Sequence, residues 1–322
     1  MIRLLATLLA LFAAGAATAQ ERPAGYPARP VRMIYPSTPG GQGDLATRFI
    51  SERLSARLGK PVVVENRPGA NGAIALESLM RAEPDGLTMA YVPAGFGVTN
   101  PALQTNLPFD VLRDFRPVLR VGIAPQCLFV RNGLQARSLQ EFVELARRDP
   151  GRLTYASFGI GSTSHLQMEL LKNLAHIDLL HVPFRGSMPG MQELVAGRVD
   201  AFIIDITPAR PFMESGRIRC LAMTGTGRSP DAPDVPTFAE QGYPLTMVGW
   251  HAVFVPAATP TPIVEYLAAE LRQIVTSDEA KAAFARLGLQ PVSDGPEETA
   301  RIHRSDLNRW RDVIRAAGIK PE

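Results

Sequence analysis

Short apolar runs and helically spaced apolar residues alternate along most of this chain. The run at 31–34 is partly β-branched and predicts a buried strand, and a helical pattern then continues to Gly59. The alternation repeats through 61–65, 74–80 and 88–92. Repetition of strand and helix in this order predicts a mainly parallel sheet with helices on both faces.

A second alternating series begins at 128–130 and closes at 218–223, after a proline-rich segment at 100–118 that lacks periodicity and is predicted to cross between the two series. The apolar run at 250–255 predicts a strand that returns to the first series. Three helical patterns then finish the chain, beginning near Pro262, Asp278 and Pro296.

Two series joined by two crossings predict two lobes with a cleft between them. We assign 20–124 and 248–322 to the first lobe and 125–247 to the second. Residues before these lobes combine a basic start, an apolar run at 4–14 and a small-x-small end at 17–19. This combination predicts a signal peptide over 1–19 that is removed on export.

A glycine-rich loop at 35–44 connects the first predicted strand to its helix. It places backbone N–H groups and a helix N-terminus at the carboxyl end of a strand, where unpaired donors and the helix dipole both favour an anion. Ligands of open α/β sheets bind at this edge. A plain βα turn that uses glycine to bend is the alternative explanation.

Comparable loops follow other predicted strands. Those at 66–72 and 93–97 belong to the first series, and the loop at 157–165 in the second series again combines glycines, hydroxyls and a following helix. Two anion-binding helix N-termini that face one cleft would hold a small dicarboxylate. The sequence therefore predicts a binding protein.

Composition narrows the classes of protein further. The chain has a formal charge of +3, with 20% charged and 46% hydrophobic residues, as in globular proteins. Its basic residues are scattered, so nucleic acid is not expected as a partner. The five histidines are dispersed and no C-x-x-C occurs, so neither a metal nor another cofactor is expected.

The two cysteines, Cys127 and Cys220, both lie in apolar segments that are predicted to be strands. An exported protein permits one disulfide between them. Two buried free thiols are an equal alternative, because cysteine suits small apolar environments.

Short motifs rich in glycine, proline and polar residues extend over the whole mature chain. They include Tyr35-Pro36-x-x-Pro39-Gly40-Gly41-x-x-Asp44, Glu65-Asn66-Arg67-Pro68-Gly69-Ala70-x-Gly72, Gly159-x-Gly161-Ser162-x-x-His165 and His181-Val182-Pro183-Phe184-Arg185-Gly186. Together these motifs resemble the periplasmic solute receptors of tripartite tricarboxylate transporters, also called Bug proteins.

The resemblance implies an α/β fold with two lobes in a Venus-flytrap arrangement, like that of type II periplasmic binding proteins. It also implies a small carboxylate ligand, held between the two loops by backbone amides, hydroxyls and bridging waters. We expect a monomer that delivers this ligand to the membrane subunits of a transporter and that is not an enzyme.

The resemblance assigns ligand contacts residue by residue. First-loop contacts fall on Ser37, Thr38, Gly40, Gly41 and Asp44, and the second-lobe clamp on Ser162 and Thr163, with Asp205 facing the distal part of the ligand. The predicted site is completed by Asn71, Gly95, Gly161, His165 and Arg185. Many relatives carry a bulky residue such as Phe in place of Ser37, and usually Ala in place of Thr38, so a relative's ligand is not transferred.

Several of these residues have a structural alternative. Asp44 is also explained as a first-turn acid that satisfies helix N–H groups. His165 is also explained by packing at the helix start, and Arg185 as a solvated or lobe-closing charge. The turns alone account for Asn71 and Gly95.

Two other classes of protein remain as alternatives. A periplasmic sensor that signals to a membrane kinase shares the receptor's chemistry and differs only in its partner. A serine hydrolase would use Ser162, His165 and Asp205, but no G-x-S-x-G motif surrounds Ser162.

Overall fold

The computed structural model describes residues 21–104, 106–184, 186–230 and 232–320. The predicted signal peptide at 1–19 and the predicted ligand residue Arg185 lie outside these ranges. Within them, no helix combines the length and the apolar character that crossing a membrane requires.

Six of the described strands form the first sheet. They are β1 (Val31–Tyr35), β2 (Val62–Asn66), β3 (Thr88–Pro93), β4 (Phe115–Ala124), β10 (Gly249–Pro256) and β11 (Gln290–Asp294). Their spatial order is β11-β4-β10-β3-β1-β2. The strands β1, β2 and β3 are parallel, whereas β10 runs antiparallel to both β3 and β4.

Five further described strands form the second sheet. They are β5 (Gln126–Arg131), β6 (Thr154–Ser157), β7 (Leu180–Pro183), β8 (Ala201–Asp205) and β9 (Ile218–Met223). Their spatial order is β7-β6-β8-β5-β9. The strands β6, β7 and β8 are parallel, and β5 runs antiparallel to β8 and β9.

Helices cover both faces of each sheet. In the described residues these are α1 (Gln42–Leu58), α2 (Ala73–Met80), α3 (Asn100–Leu103), α4 (Leu139–Arg148), α5 (Thr163–Ala175), α6 (Ser187–Val195), α7 (Ile206–Glu214), α8 (Thr261–Val275), α9 (Asp278–Leu287) and α10 (Pro296–Ala317). Buried clusters form on both faces of both sheets. Leu166 of α5 shares one of these clusters with Trp250 and Trp310 on the first sheet's side, so the two lobes pack against each other.

The prediction of mainly parallel sheets was wrong, because both sheets are mixed. The prediction missed β4, β11 and α7. Pro117 and two arginines interrupt the apolar pattern of β4, and β11 is a half-buried edge strand that contains Pro291. Two prolines, at 208 and 211, are atypical of a helix and prevented the prediction of α7. Pairing and packing with distant elements, which local patterns do not contain, stabilise these segments.

The segment at 93–97, predicted to be a loop, is largely helical. A π-helical turn at Gly95–Thr99 leads directly into α3. The proline-rich segment at 100–118, predicted to cross between lobes without regular structure, therefore begins with a helix and ends in a central strand.

The chain passes from the first sheet to the second between Ala124 and Gln126, and returns between Met223 and Gly249. The predicted lobe limits at 124/125 and 247/248 fall in these two connections and stay a prediction. Cys127 and Cys220, on the paired strands β5 and β9, form a disulfide with a Cα–Cα distance of 5.9 Å. The choice that the sequence left open is thus resolved toward a disulfide.

Candidate functional site

The loops of the first lobe meet at one edge of its sheet. The parallel registers of β1 with β2 and β3 bring the carboxyl ends of these three strands together. Ser37 to Gly41, the turn that contains Asn71, and Gly95 follow those ends. Thr38, Gly40, Gly41 and Asn71 are exposed there, and Ser37 and Gly95 are half-buried.

Asp44 holds the first loop in its conformation. Its carboxylate is 1% exposed and accepts hydrogen bonds from the Gly40 amide over 2.9 Å, from Arg48 Nε over 2.9 Å and from Asn66 Nδ2 over 2.8 Å. The Asn66 amide also donates to the carbonyl of Ser37 over 3.0 Å. Burial alone would raise the pKa of Asp44, but these hydrogen bonds outweigh it and the pKa is lowered. Asp44 is therefore a charged brace of the loop.

The helix start of α1 is left open toward the cleft. Gly41 is its N-cap, and among the described residues no side chain caps it. The first-turn amides of Gln42 and Gly43 have no acceptor within the helix. A Cβ atom at Gly43 would overlap the Tyr35 hydroxyl, which explains the glycine at this position. Amides at an uncapped helix start are donors of the kind that anions favour.

Neighbouring residues fix the other two first-lobe loops. The carbonyl of Asn71, which has φ +49°, accepts a hydrogen bond from the side chain of Asn100 over 2.8 Å. The carbonyl of Gly95 accepts one from the Thr99 hydroxyl over 3.0 Å. Both predicted residues thus lie at the edge where β1, β2 and β3 end, and the observed contacts of both are structural.

The second-lobe loop at 158–162 follows β6 and is closed by its own hydrogen bonds. The Ser162 hydroxyl donates to the carbonyl of Gly159 over 2.6 Å and caps α5 by accepting the His165 amide over 3.4 Å. The Gly161 amide donates to Nδ1 of His165 over 3.0 Å. The amides of Thr163 and Ser164 remain without an acceptor inside the helix. Ser164 is 0% exposed, so the half-buried Thr163 carries the amide that is accessible to an anion.

Asp205 ends β8 at the same edge of the second sheet. It is half-buried and pairs in register with Gln126 of β5. Burial raises the pKa of Asp205 to about 6, and the Gln126 side chain opposes this increase. Gln126 is 4% exposed, and its Oε1 has no hydrogen-bond partner among the described residues. Asp205 and Gln126 therefore place polar groups at this edge of the second sheet, in addition to the helix starts of α1 and α5.

The carboxyl edges of the two sheets face each other, and residue contacts join them at two points. A Cβ atom at Gly161 would overlap the Leu103 side chain of the first lobe. On the other side, a Cβ atom at Gly288 would overlap Thr207, which lies two residues after Asp205. The residue before Gly288, Leu287, accepts a hydrogen bond from Gln42 Nε2 over 2.6 Å. The starts of α1 and α5 therefore belong to one cleft.

Sequence reasoning missed the residues that brace these loops. They are Arg48, Asn66, Leu103, Gln126 and His181. Asn66 and His181 do lie inside the motifs quoted above, but the motifs alone did not indicate which contacts these residues make. Leu103 and Gln126 carry no motif, because only the packing of the two lobes places them at the cleft.

The geometry does not supply a nucleophile–base pair at Ser162. Its hydroxyl bonds to Gly159, and the His165 ring nitrogen Nδ1 is occupied by the Gly161 amide. The only serine–histidine side-chain contact among the described residues, Ser157 Oγ to His181 Nε2 at 2.7 Å, involves a serine that is 0% exposed. Also within the described residues, no three His, Cys, Asp or Glu side chains converge as metal ligands would.

Comparison with known proteins finds one family model and a full-length relative from the same family of receptors. The family model described as "Tripartite tricarboxylate transporter family receptor" matches residues 46–319. The protein BugT of Bordetella pertussis is 33% identical over 325 residues, which cover 99% of each chain.

Solved structures match over a similar span. The Rhodopseudomonas palustris protein Rpa4515, solved with adipate, is 33% identical with a TM-score of 0.77 and covers 92% of this chain and 100% of its own. MatC from the same organism, solved with bound malate, is 31% identical with a TM-score of 0.73 and covers 90% of this chain and 100% of its own. The predicted two-lobed α/β fold of periplasmic binding proteins is confirmed by these matches.

Proposed function

Since this chain belongs to the tripartite tricarboxylate transporter receptor family, we propose that it captures one small carboxylate in the cleft between its lobes. It then delivers this ligand, in the periplasm, to the membrane subunits of a transporter. The chain acts as a monomer and without a cofactor.

One observation carries the proposal: two helix N-termini, one from each lobe, open into the same cleft. The first-turn amides of α1 and of α5 are unpaired within their helices, and contacts at Leu103–Gly161 and Thr207–Gly288 bring the two lobes together around them. Both helix dipoles favour negative charge at these ends. Carboxylates, phosphates and sulfates all fit such donors, and the family together with the relatives solved with adipate and malate favours a carboxylate.

The free energy of binding that a receptor needs supports contacts to the ligand from both lobes. Hydrogen bonds to a charged group are worth about 1.5–3 kcal/mol each. Micromolar affinity corresponds to about −8 kcal/mol after the entropic costs of association are included. The donors of one helix end would barely reach this value, so the ligand is held from both ends and the cleft closes around it.

The ligand contacts are proposed as follows. In the first lobe, backbone and hydroxyl donors come from Ser37, Thr38 and Gly41, and in the second lobe from Thr163. Gly40, Gly161 and Ser162 contribute the loop surface beside the two helix starts, because their own donors are bound by Asp44, His165 and Gly159. Asn71 and Gly95 line the remaining wall, Asp44 and His165 hold the loops, and Asp205 faces the distal part of the ligand. Arg185, which lies outside the described residues, stays a ligand contact predicted from the sequence. The ligand is a di- or tricarboxylate, an amino acid or an aromatic acid, and adipate and malate in the two solved relatives fall within this range.

A thermal-shift experiment tests the proposal. The mature protein is stripped by unfolding and refolding and is melted with malate, adipate, citrate, glutamate, nicotinate or terephthalate, with glucose as the control. A ligand at one hundred times its Kd stabilises the protein by about 2.7 kcal/mol, which is a clear shift. A shift with one class of carboxylate supports the proposal, and a shift only with glucose, or with none of these compounds, contradicts it.

A further inference from the structure

Two histidines are stacked beneath the second-lobe loop. The imidazole rings of His165 on α5 and His181 on β7 are parallel within 6°, and their centroids lie 4.0 Å apart. The ring of Tyr155 on β6 stacks on His181 with a centroid distance of 4.8 Å. His165 is 6% exposed and His181 is half-buried. The three rings form a layer under the loop at 158–162.

Each imidazole holds one glycine of this loop. Nδ1 of His165 accepts the Gly161 amide over 3.0 Å. Nε2 of His181 lies 2.7 Å from the Ser157 hydroxyl, which in turn accepts the Gly159 amide over 3.1 Å. Gly159 and Gly161 have φ of +131° and +74°, so the backbone itself does little to fix their orientation.

Gly161 is also the point at which the second lobe meets Leu103 of the first lobe. We infer that the stacked imidazoles of His165 and His181 are positioning residues for ligand capture: they fix Gly161 where Leu103 closes against it. This inference rests on the proposed function. A turn of the 160–161 peptide would move the contact surface and disturb the adjoining α5 amides.

The arrangement requires a neutral His165 ring. Because Nδ1 of His165 accepts a hydrogen bond, a proton there would set two donors against each other. Protonation would favour the reversed 160–161 peptide, with its carbonyl turned toward the ring. The clamp is therefore formed while His165 is neutral and is released when its Nδ1 is protonated.

The surroundings keep both rings neutral at ordinary pH. Burial lowers the pKa of His165, an effect that Lys172 reinforces and Glu169 opposes. Burial and the stacked His165 lower the pKa of His181 to about 4. Glu169 is itself bound by Tyr155, whose hydroxyl donates over 2.6 Å, and by Lys172 at 2.9 Å, so its charge is largely neutralised locally. His181 therefore stays neutral through the range in which a free histidine titrates, and the neutral form of His165 extends to lower pH than that of a free histidine.

Two substitutions at one position separate the hydrogen bond from packing. His165→Asn can place Oδ1 close to the present position of Nδ1 and does not titrate. His165→Leu has a similar size and offers no acceptor. At pH 7, we expect His165→Asn to bind the panel carboxylate with the largest thermal shift within threefold of wild type, and His165→Leu to bind it at least tenfold more weakly.

Nuclear magnetic resonance of the ligand-free protein gives a readout that does not depend on the ligand. We expect His165 to be neutral at pH 7 with its proton on Nε2, and the Gly161 amide to be protected from exchange in wild type and His165→Asn but not in His165→Leu. On acidification the Gly161 resonance should move with the titration of the pair, and this movement should be absent in His165→Asn.

The outcomes for the histidine pair and for the proposed function can be distinguished. A proton on Nδ1 of His165, or a protected Gly161 amide and unchanged affinity in His165→Leu, would overturn the inference. If no panel carboxylate binds the wild type, the proposed function fails, while the tautomer and the Gly161 exchange still decide whether the pair positions the loop.

Discussion

The side chain of Leu103, at the end of α3 in the first lobe, occupies the space that a Cβ atom at Gly161 of the second lobe would need. Gly161 also has φ +74°, a conformation that side chains disfavour. Two independent causes, backbone conformation and contact across the cleft, therefore require glycine at this position.

The contact predicts a binding defect in Gly161→Ala. The added methyl group keeps Leu103 away and holds the cleft partly open, so we expect affinity for the panel ligand to fall at least tenfold by titration calorimetry. The positive φ costs about 1–2 kcal/mol of stability by itself. Gly216→Ala is the matched control, because Gly216 has φ +69° and no atom lies within 4 Å of the position that its added methyl group would take.

The two variants should therefore lose similar stability, and only Gly161→Ala should lose affinity. Adding Leu103→Ala to Gly161→Ala should recover part of the affinity, because it removes the overlap. Wild-type affinity in Gly161→Ala would show that the lobes do not close at this contact.

A second prediction concerns the brace formed by Asp44. Replacing it with Asn removes a buried charge that accepts hydrogen bonds from Gly40, Arg48 and Asn66. We expect unfolding by urea at pH 7 to show a loss of about 2–4 kcal/mol, because the charge is lost and the amide keeps one acceptor oxygen. Either Asn66, or Gly40 together with Arg48, then faces an NH2 donor in place of its acceptor. Asp312→Asn is the control, because that carboxylate is 73% exposed.

The defect of Asp44→Asn should depend on pH. The pKa of Asp44 is lowered in the folded protein, so its contribution is present above the unfolded value and is lost as pH falls through the folded value. The stability difference between wild type and Asp44→Asn should thus shrink below about pH 4. A difference that stays constant as the pH falls below about 4 would assign the effect to packing.

A third prediction concerns the disulfide between Cys127 and Cys220, which closes a segment with a sequence separation of 93 residues. A double change of both cysteines to Ala should lower the free energy of unfolding by about 2–5 kcal/mol. Thiol titration in denaturant should find no free thiol before reduction and two afterwards. Two reactive thiols in the unreduced, denatured protein would contradict the pairing.

A fourth prediction follows from the raised pKa of Asp205, which is about 6. A folded pKa above the unfolded value means that the native state binds more protons, so the stability contributed by this group falls as pH rises from about 4 to 6. Asp205→Asn should therefore raise the melting temperature at pH 8 and leave it nearly unchanged at pH 4. Equal effects at both pH values would contradict this assignment.

Local sequence was sufficient to predict the elements that form the cleft edges. The glycine-rich turns before α1 and α5 predicted two helix starts, and the apolar runs predicted most strands within one or two residues. These features depend on residues that are near each other in the chain. The β4 strand and α7 were missed, because contacts with distant elements stabilise them against their own prolines.

The braces of the site were less accessible to prediction. Asp44 was assigned to the first loop, but its partner Asn66 lies 22 residues away and reaches it only because β1 and β2 are parallel neighbours. The stack of His165 on His181 likewise depends on the adjacency of β6 and β7. Pairings of this kind follow from the register of the sheet, which local spacing does not encode.

Small-angle X-ray scattering of the stripped protein, with and without the panel carboxylate that binds most tightly, tests the central claim most directly. Leu103–Gly161 and Thr207–Gly288 join the lobes in the arrangement described above. We predict that the liganded protein has the radius of gyration of this arrangement, and that the ligand-free protein is measurably larger. An identical radius in both states, for a carboxylate that demonstrably binds, would contradict capture by closure of the two lobes.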